Sequence, residues 1–305
     1  MDAHQAYLAV SEEVKKHIAG KKDTIELLFI TMVANGHALL EGVPGVAKTT
    51  MTKTLAETIQ ADFKRIQGTS DLQTKDIVGY VSEDPSGNLK FNKGPIFTNI
   101  LLIDELNRSS PKTMSGLLET LEERQVTVGG EDIRLPSPFT AFATQNPLKI
   151  EGTEPLPKVL SDRFLLKIDV DYPSMEEEQE MLRIKEREEN VETKKVISTN
   201  DILSMQQAAK GIIMPDNVVQ YITKIVGATR KEIHTTMGAS PRADISFMQA
   251  AKAKALIEDR KEVSIDDIKF LARPVLSHRI AVRSTGGIGV NGIIDGIIAS
   301  VKLGT

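Results

Sequence analysis

The chain has no cysteine. That one absence removes disulfides, thiolate zinc sites and a cysteine nucleophile together. It has no basic surplus either: 38 lysines and arginines face 42 acidic residues, for a net charge of −4. A broad nucleic-acid surface is therefore not expected, although a local basic channel in an oligomer is compatible with that balance. The histidines (His4, His17, His37, His234 and His278) are scattered, with no pair at metal-ligand spacing, and each reads as structural. The longest apolar stretch, Leu27 to Leu40, is broken by Asn35, Gly36 and His37, so no membrane span is expected. No secretory pattern opens the chain, and the expected location is the cytoplasm. What remains is an ordinary profile of 40% apolar and 26% charged residues over 305 positions, enough for two domains with their own cores.

The most informative segment is Gly42-Val43-Pro44-Gly45-Val46-Ala47-Lys48-Thr49, directly after the apolar run Ala38-Leu39-Leu40. A glycine-rich turn between a buried strand and a helix points backbone N–H groups at phosphate oxygens, and the helix N-terminus adds positive dipole. Lys48 is expected to reach the β- and γ-phosphates of a nucleotide, and the Thr49 hydroxyl to hold Mg²⁺. Ala47 stands where the general pattern has its second glycine. As the least bulky substitute and a good helix former, it is expected to leave the loop intact.

Helices alternate with strands along the first half, which predicts a parallel sheet covered on both faces. Helices are expected over about 25–35, 48–60 and 112–124. Strands are expected at 38–40, 63–66, 100–103, 139–144 and 164–170. The turn signal Ser86-Gly87-Asn88 and the pair Gly129-Gly130 predict two inserted hairpins, near 86–97 and 125–135. Tyr172-Pro173-Ser174 marks a boundary, dividing residues 1–172 from 173–305, and the acidic run after it opens a helix with a solvated face. Beyond it only helical periodicity is evident, with Ser264 as an N-cap, until a glycine-rich tail from Ser284 containing Gly286, Gly287, Gly289, Gly292 and Gly296.

A second motif, Ile100-Leu101-Leu102-Ile103-Asp104-Glu105, carries two acids at the end of a buried strand, where ligands of open α/β sheets bind. Asp104 is the candidate for the Mg²⁺ shell, and Glu105 for orienting the attacking water. Asn146, after the neighbouring strand, is the candidate for contacting the γ-phosphate or that water. Arg163 precedes the last strand at the domain surface, placed to reach a neighbour's nucleotide as an arginine finger. Ser240-Pro241-Arg242 reads as an N-cap, a first helical position and a first-turn arginine. A cation there opposes the helix dipole, so an anion is expected beside it, and the bound triphosphate is the expected anion.

In order along the chain these segments resemble the AAA+ ATPases, and within them the MoxR family. The resemblance rests on Gly42–Thr49, Phe91–Phe97, Asp104–Arg108, Ala143–Pro147, Gly152–Arg163 and Gly238–Arg242, and extends from about Ile18 to Ile280. Alanine at position 47 is usual in that family, whereas Lys21 stands where glutamine is more common. The resemblance implies a doubly wound αβα P-loop domain followed by an all-helical lid. It implies ATP and Mg²⁺ as cofactors, with Gly42 to Thr50 on the phosphates and Ile18 and Gly20 beside the adenine. It implies ring assembly, commonly as a hexamer, with Arg163 acting in trans and Arg242 sensing the γ-phosphate from the lid. The hairpins would then face a pore or partner. Family members act in chaperone-like fashion on other proteins, often with partners carrying von Willebrand factor A domains. Two further classes fit a phosphate loop: a nucleotide-gated scaffold and a small-molecule kinase. Among hydrolases, a nucleic-acid remodeller is the nearest rival, disfavoured by the acidic balance.

Overall fold

The computed structural model describes residues 1–83, 85, 87–147, 153–187, 192–283 and 289–302. Ser86 of the expected turn, Gly152 of the motif ahead of Arg163, and Ser284, Gly286 and Gly287 of the tail lie outside the described residues. The chain opens with α1 (Ala3–Lys15) and α2 (Lys22–Val33). The first is a helix that the sequence reading leaves unassigned. Asp2 caps it by accepting the Gln5 N–H, and Ala6, Tyr7, Val10 and Val14 are buried along one stripe.

The central elements follow: β1 (Ala38–Glu41), α3 (Lys48–Glu57), β2 (Ile59–Gln60), β3 (Phe63–Gln67), α4 (Thr74–Val78), β4 (Gly79–Glu83), β5 (Leu89–Lys93), β6 (Ile100–Asp104), α5 (Pro111–Glu123), β7 (Gln125–Val128), β8 (Glu131–Arg134), β9 (Thr140–Gln145), α6 (Lys158–Ser161) and β10 (Leu166–Asp169). A five-stranded sheet has the order β10-β1-β9-β6-β3, with every pair parallel. Alternation along the strands sends side chains to opposite faces. Ala38, Leu40, Ile100, Leu102 and Phe142 join one hydrophobic cluster, while Leu39, Leu101, Ile103, Ala141 and Ala143 join the other. Both inserted hairpins form, as the antiparallel pairs β4–β5 and β7–β8.

The remaining elements are α7 (Met175–Arg187), β11 (Ile197–Ser198), α8 (Thr199–Lys210), α9 (Asp216–Thr229), β12 (Thr235–Met237), α10 (Arg242–Ile257), α11 (Ile265–Leu276), β13 (Ala281–Val282) and α12 (Val290–Ser300). The lid is helical as expected, with three short strands among its described residues that periodicity did not reveal. One of them shortens α3: the chain leaves the helix at Thr58, and Ile59–Gln60 pair with Ile197–Ser198. β12 and β13 pair with each other beside Arg242. Ser264 is the N-cap of α11, with Asp267 closing a capping box. The described part of the tail docks: Ile293, Ile294 and Ile297 are buried, and Asp295 pairs with Arg273. Helices α1 and α2 and the lid helices α8 to α12 share the first hydrophobic cluster, so the interior divides at the sheet. No helix among the described residues is long and apolar enough to cross a membrane.

Candidate active site

Parallel pairing brings the C-terminal ends of β1, β9, β6 and β3 to one edge, with Glu41 opposite Gln145 and Gln67 opposite Asp104. The phosphate loop leaves β1 at that edge. Gly42 is required there because an added Cβ would lie 2.4 Å from the Val170 carbonyl oxygen. Val46 is buried and anchors the loop from below. Gly45 and Ala47 both have positive φ, +87° and +61°. Alanine thus adopts the left-handed conformation that the usual glycine takes freely. A cavity of about 450 Å³ over the loop is lined by Pro44, Gly45, Ala47, Lys48, Thr49 and Thr50, and by Asp104, Glu105 and Asn146 from the neighbouring strand ends. Gly42 and Val43 border an adjoining cavity, and their carbonyls accept from Lys48 Nζ at 2.5 and 2.8 Å. Burial pushes the Lys48 amine down, opposed by Asp104, Glu105 and Glu41.

Asp104 and Glu105 occupy different surroundings. The Thr49 hydroxyl donates to the two Asp104 oxygens at 3.0 and 2.9 Å. Thr144 donates to Asp104 Oδ1 at 2.6 Å and accepts the Glu105 backbone N–H at 2.9 Å. Arg65 Nη2 donates to Asp104 Oδ2 at 2.7 Å. Burial raises the Asp104 carboxyl, and the hydrogen bonds from Thr144, Arg65 and Thr49 more than offset it, holding it below the ordinary carboxylate range. Glu105 is a non-glycine residue in the left-handed region, φ 52° and ψ 48°. Gly68 permits that turn, since a Cβ on it would lie 2.3 Å from the Glu105 carbonyl oxygen. The Glu105 carboxylate accepts from Gln67 Nε2 at 3.0 Å and Arg108 Nη1 at 3.1 Å. Gln67 also accepts from Arg65 at 2.9 Å, so one hydrogen-bonded path joins the two acids. The Asn146 carbonyl accepts from Asn107 at 3.2 Å.

The oxygen set at Thr49 and Asp104 suits Mg²⁺, a hard cation that binds through one or two carboxylates plus substrate phosphates. Among the described residues no cluster of three or more His, Cys, Asp or Glu could hold a metal by itself.

Arg163 and Arg242 lie elsewhere. They share a cavity of about 320 Å³ that contains no phosphate-loop residue. Arg163 pairs with Glu122 on the last turn of α5. Arg242 Nη2 donates to the same carboxylate at 2.8 Å, and its Nε lies 4.0 Å from Asp162. The anion beside the first-turn arginine in this structure is thus the protein's own Glu122 carboxylate, where the sequence alone predicts a triphosphate. The helix begins at Arg242, and Ser240 Oγ accepts the Arg242 N–H at 3.3 Å, one residue from the expected cap geometry. Ile18 and Gly20 do not line the phosphate-loop cavity: Ile18 is core, and Gly20 abuts the Glu177 carboxylate, which accepts the Lys21 N–H at 3.2 Å.

Sequence reasoning missed Arg65, Gln67, Thr144, Glu122 and Arg279. Arg65 and Gln67 share one face of β3 by alternation, but only the β3–β6 register shows which acids they meet. Thr144 was visible as a hydroxyl in an apolar strand. Glu122 and Arg279 carried no local signal.

Fold and site together define an ATP-hydrolysing P-loop domain with a helical lid. Residues 37–166 match the ATPase family associated with various cellular activities (AAA), and residues 227–287 match the AAA lid domain. The uncharacterised protein YeaC of Bacillus subtilis is 41% identical, over 99% of this chain and 96% of its own. Chaperone MoxR1 of Mycobacterium tuberculosis is 39% identical, over 88% of this chain and 74% of its own. The crystal structure of a proposed ATPase from Cytophaga hutchinsonii superimposes with a TM-score of 0.90 at 38% identity, covering 99% of this chain and 96% of that one. The chain belongs to the MoxR family of AAA ATPases.

Proposed function

We propose that the protein hydrolyses Mg²⁺-bound ATP between subunits of a ring, a hexamer on family precedent, and uses the cycle to remodel, assemble or activate partner proteins. In this reading residues 1–172 form the nucleotide-binding unit and 173–305 the lid and tail. Gly42 to Thr50 hold the phosphates, with Ile18 and Gly20 toward the base. Thr49 and Asp104 hold Mg²⁺, which neutralises phosphate charge as it develops. Glu105 orients and activates water. Asn146 contacts the γ-phosphate side.

The carrying observation is that Arg163 and Arg242 share a cavity separate from the loop of their own chain. Two arginines beside each other repel; both pair with the one Glu122 carboxylate, and Asp162 stands 4.0 Å from Arg242. A neighbour's triphosphate is a stronger anion for the same pair. Apolar side chains flank it: Val159 and Met237 are 59% and 45% exposed. Exposed apolar surface around paired cations suits a subunit contact. Both arginines then act in trans. The name of MoxR1 supports a chaperone-like role on a client or adaptor, and the family resemblance supports one with a von Willebrand factor A domain. Hairpins β4–β5 and β7–β8 are the surfaces offered to it; Tyr80, Val81 and Leu89 on the first are exposed. A cytoplasmic location, where ATP and Mg²⁺ are supplied, completes the reading.

The test is specific ATPase activity against protein concentration, with Mg²⁺ and sizing of each sample. A rate per subunit that rises with assembly and then saturates is expected. Full activity in a species sized as a monomer would overturn the shared site.

A further inference from the structure

The segment after α11, Ser277 to Ile280, lies against the residues that present Arg163. Arg279 is almost fully buried, with its side chain 2% exposed. Its Nε donates to Asp162 Oδ1 at 2.9 Å, its Nη2 to the Phe164 carbonyl at 2.7 Å, and its Nη1 to the Leu165 carbonyl at 3.1 Å. The same guanidinium reaches back into the lid, to Ser246 Oγ at 2.9 Å and the Val275 carbonyl at 2.5 Å. Next to it, His278 Nε2 meets the Phe164 carbonyl at 3.0 Å, and the His278 carbonyl accepts from Ser161 at 3.2 Å.

Stability alone is a poor reason for this arrangement. A buried ion pair is commonly no better than well-packed apolar residues of the same volume. What a guanidinium offers is a rigid fork of donors that fixes several acceptors at once. Here those acceptors are the residue before Arg163 and the two after it. Phe164 and Leu165 precede β10, so their carbonyls have no strand partner, and Arg279 takes that place. The lid also holds Asp162 from a second side, where Ser240 Oγ donates to its Oδ2 at 3.3 Å.

We propose that Arg279 is a positioning residue for Arg163: each subunit's lid sets the place of the arginine that the subunit presents to its neighbour. A shift of the lid then carries Arg163 with it. This rests on the trans reading of Arg163 given above.

The experiment uses coexpressed pairs of full-length chains. Arg163→Ala keeps a site but presents no arginine, and Glu105→Gln presents the arginine but hydrolyses poorly. Together they are expected to recover ATPase activity at the interfaces that combine the intact halves. Placing Arg279→Gln on the Glu105→Gln chain is expected to lower that recovery about tenfold or more, since misplacing a catalytic group by about 1 Å costs that much. Placing it on the Arg163→Ala chain is expected to leave recovery within about twofold. That asymmetry is a readout that a general loss of packing would not produce. Equal recovery in both arrangements, or equal loss in both, overturns the proposal. If the Arg279→Gln chain does not fold, Asp162→Asn removes the charged acceptor instead, with the same asymmetry expected and the same outcomes decisive. No recovery from the parent pair overturns the trans reading, and this inference with it.

Discussion

The two functional edges of the molecule are held by different forces. At the phosphate-loop edge the acidic and amide groups ride on strand ends or the turns after them, Lys48 and Thr49 open α3 directly after the loop, and β-sheet register sets the place of the strand-borne groups. Asp104, Thr144, Gln67 and Glu41 are aligned before any side chain chooses a partner. At the arginine edge strand register does not set the places of the charged groups. Glu122, Asp162, Arg242 and Arg279 come from four separate segments, and charge holds them together. A cradle that must match a phosphate chain is built rigid. In the function proposed above, the group that crosses to another subunit is held by carboxylates with which a phosphate competes.

The largest effects should separate the edges cleanly. Lys48→Ala is expected to abolish tight triphosphate binding, because the loop then loses its half-buried cation; retained micromolar affinity for ATP would mean that the loop is misassigned. Arg163→Ala is expected to keep that affinity and lose turnover by about 10³-fold or more. Added to an active subunit, it should depress mixed rings more than in proportion to its share. Glu105→Gln belongs with the first edge, binding ATP yet turning over about 10²- to 10⁴-fold more slowly. Equilibrium binding beside steady-state rates for all three decides whether the division holds.

A smaller effect tests whether the first edge is as rigid as its hydrogen bonds imply. Thr144→Val removes the hydroxyl that holds both the Asp104 carboxylate and the Glu105 N–H. Outer partners of metal-binding carboxylates typically contribute about 10- to 100-fold in metal affinity. The Mg²⁺ concentration for half-maximal rate should rise about tenfold, with ATP affinity little changed. An unchanged Mg²⁺ requirement would show that the clip is dispensable.

The same division explains what was legible in the sequence. The loop, Asp104–Glu105 and the parallel sheet were readable because each is local: a turn, a run of apolar residues, an acid at its end. The link from Arg65 through Gln67 to Glu105 needed strand register, which alternation alone does not supply. At the other edge the oddity of Arg242 in a first turn was visible, and it pointed to a triphosphate as the anion beside it. That the anion is Glu122 depends on packing between residues 120 apart. The lid's short strands escaped for a related reason, since two or three residues are too few for a period.

Acid should act on the edges unequally. His37 is buried, donates from Nε2 to the Leu121 carbonyl and accepts the Ala141 N–H at Nδ1, both at 2.9 Å. Burial, then the Arg124 charge, pushes its pKa down to about 3. Burial likewise holds His278, beneath Arg163, well below the ordinary value. Both folded values lie below the unfolded one, so the unfolded chain binds more protons between them. The stabilisation is full above about pH 6.5 and is lost as pH falls from there toward the folded values, by up to about 1.4 kcal/mol per unit for each histidine. Asp104, held below the ordinary carboxylate range, stays charged between pH 7.5 and 5.5. Urea midpoints at pH 7.5 and 5.5 should therefore differ, and His37→Gln should narrow the difference. An equal difference in the variant would place the acid sensitivity elsewhere.

The smallest effect concerns the one residue where the loop departs from the general pattern. Ala47 sits at φ 61° and ψ 21°, ahead of α3. A left-handed conformation costs a non-glycine residue about 1–2 kcal/mol. Ala47→Gly removes that cost, but the more flexible unfolded chain takes back about 0.4–1 kcal/mol. Glycine is also the better residue at a helix N-cap. Against this stands the alanine methyl, which packs on the first hydrophobic cluster. The sum should be a gain of about 0.5 kcal/mol, seen as a slight rise in thermal midpoint, with ATP affinity within about threefold because the loop amides keep their directions. A fall of more than about 1 kcal/mol would mean that the methyl contributes more than the strain costs. The alanine would then be a packing residue that this loop uses, and the phosphate-loop edge would depend on its core as well as on its turn.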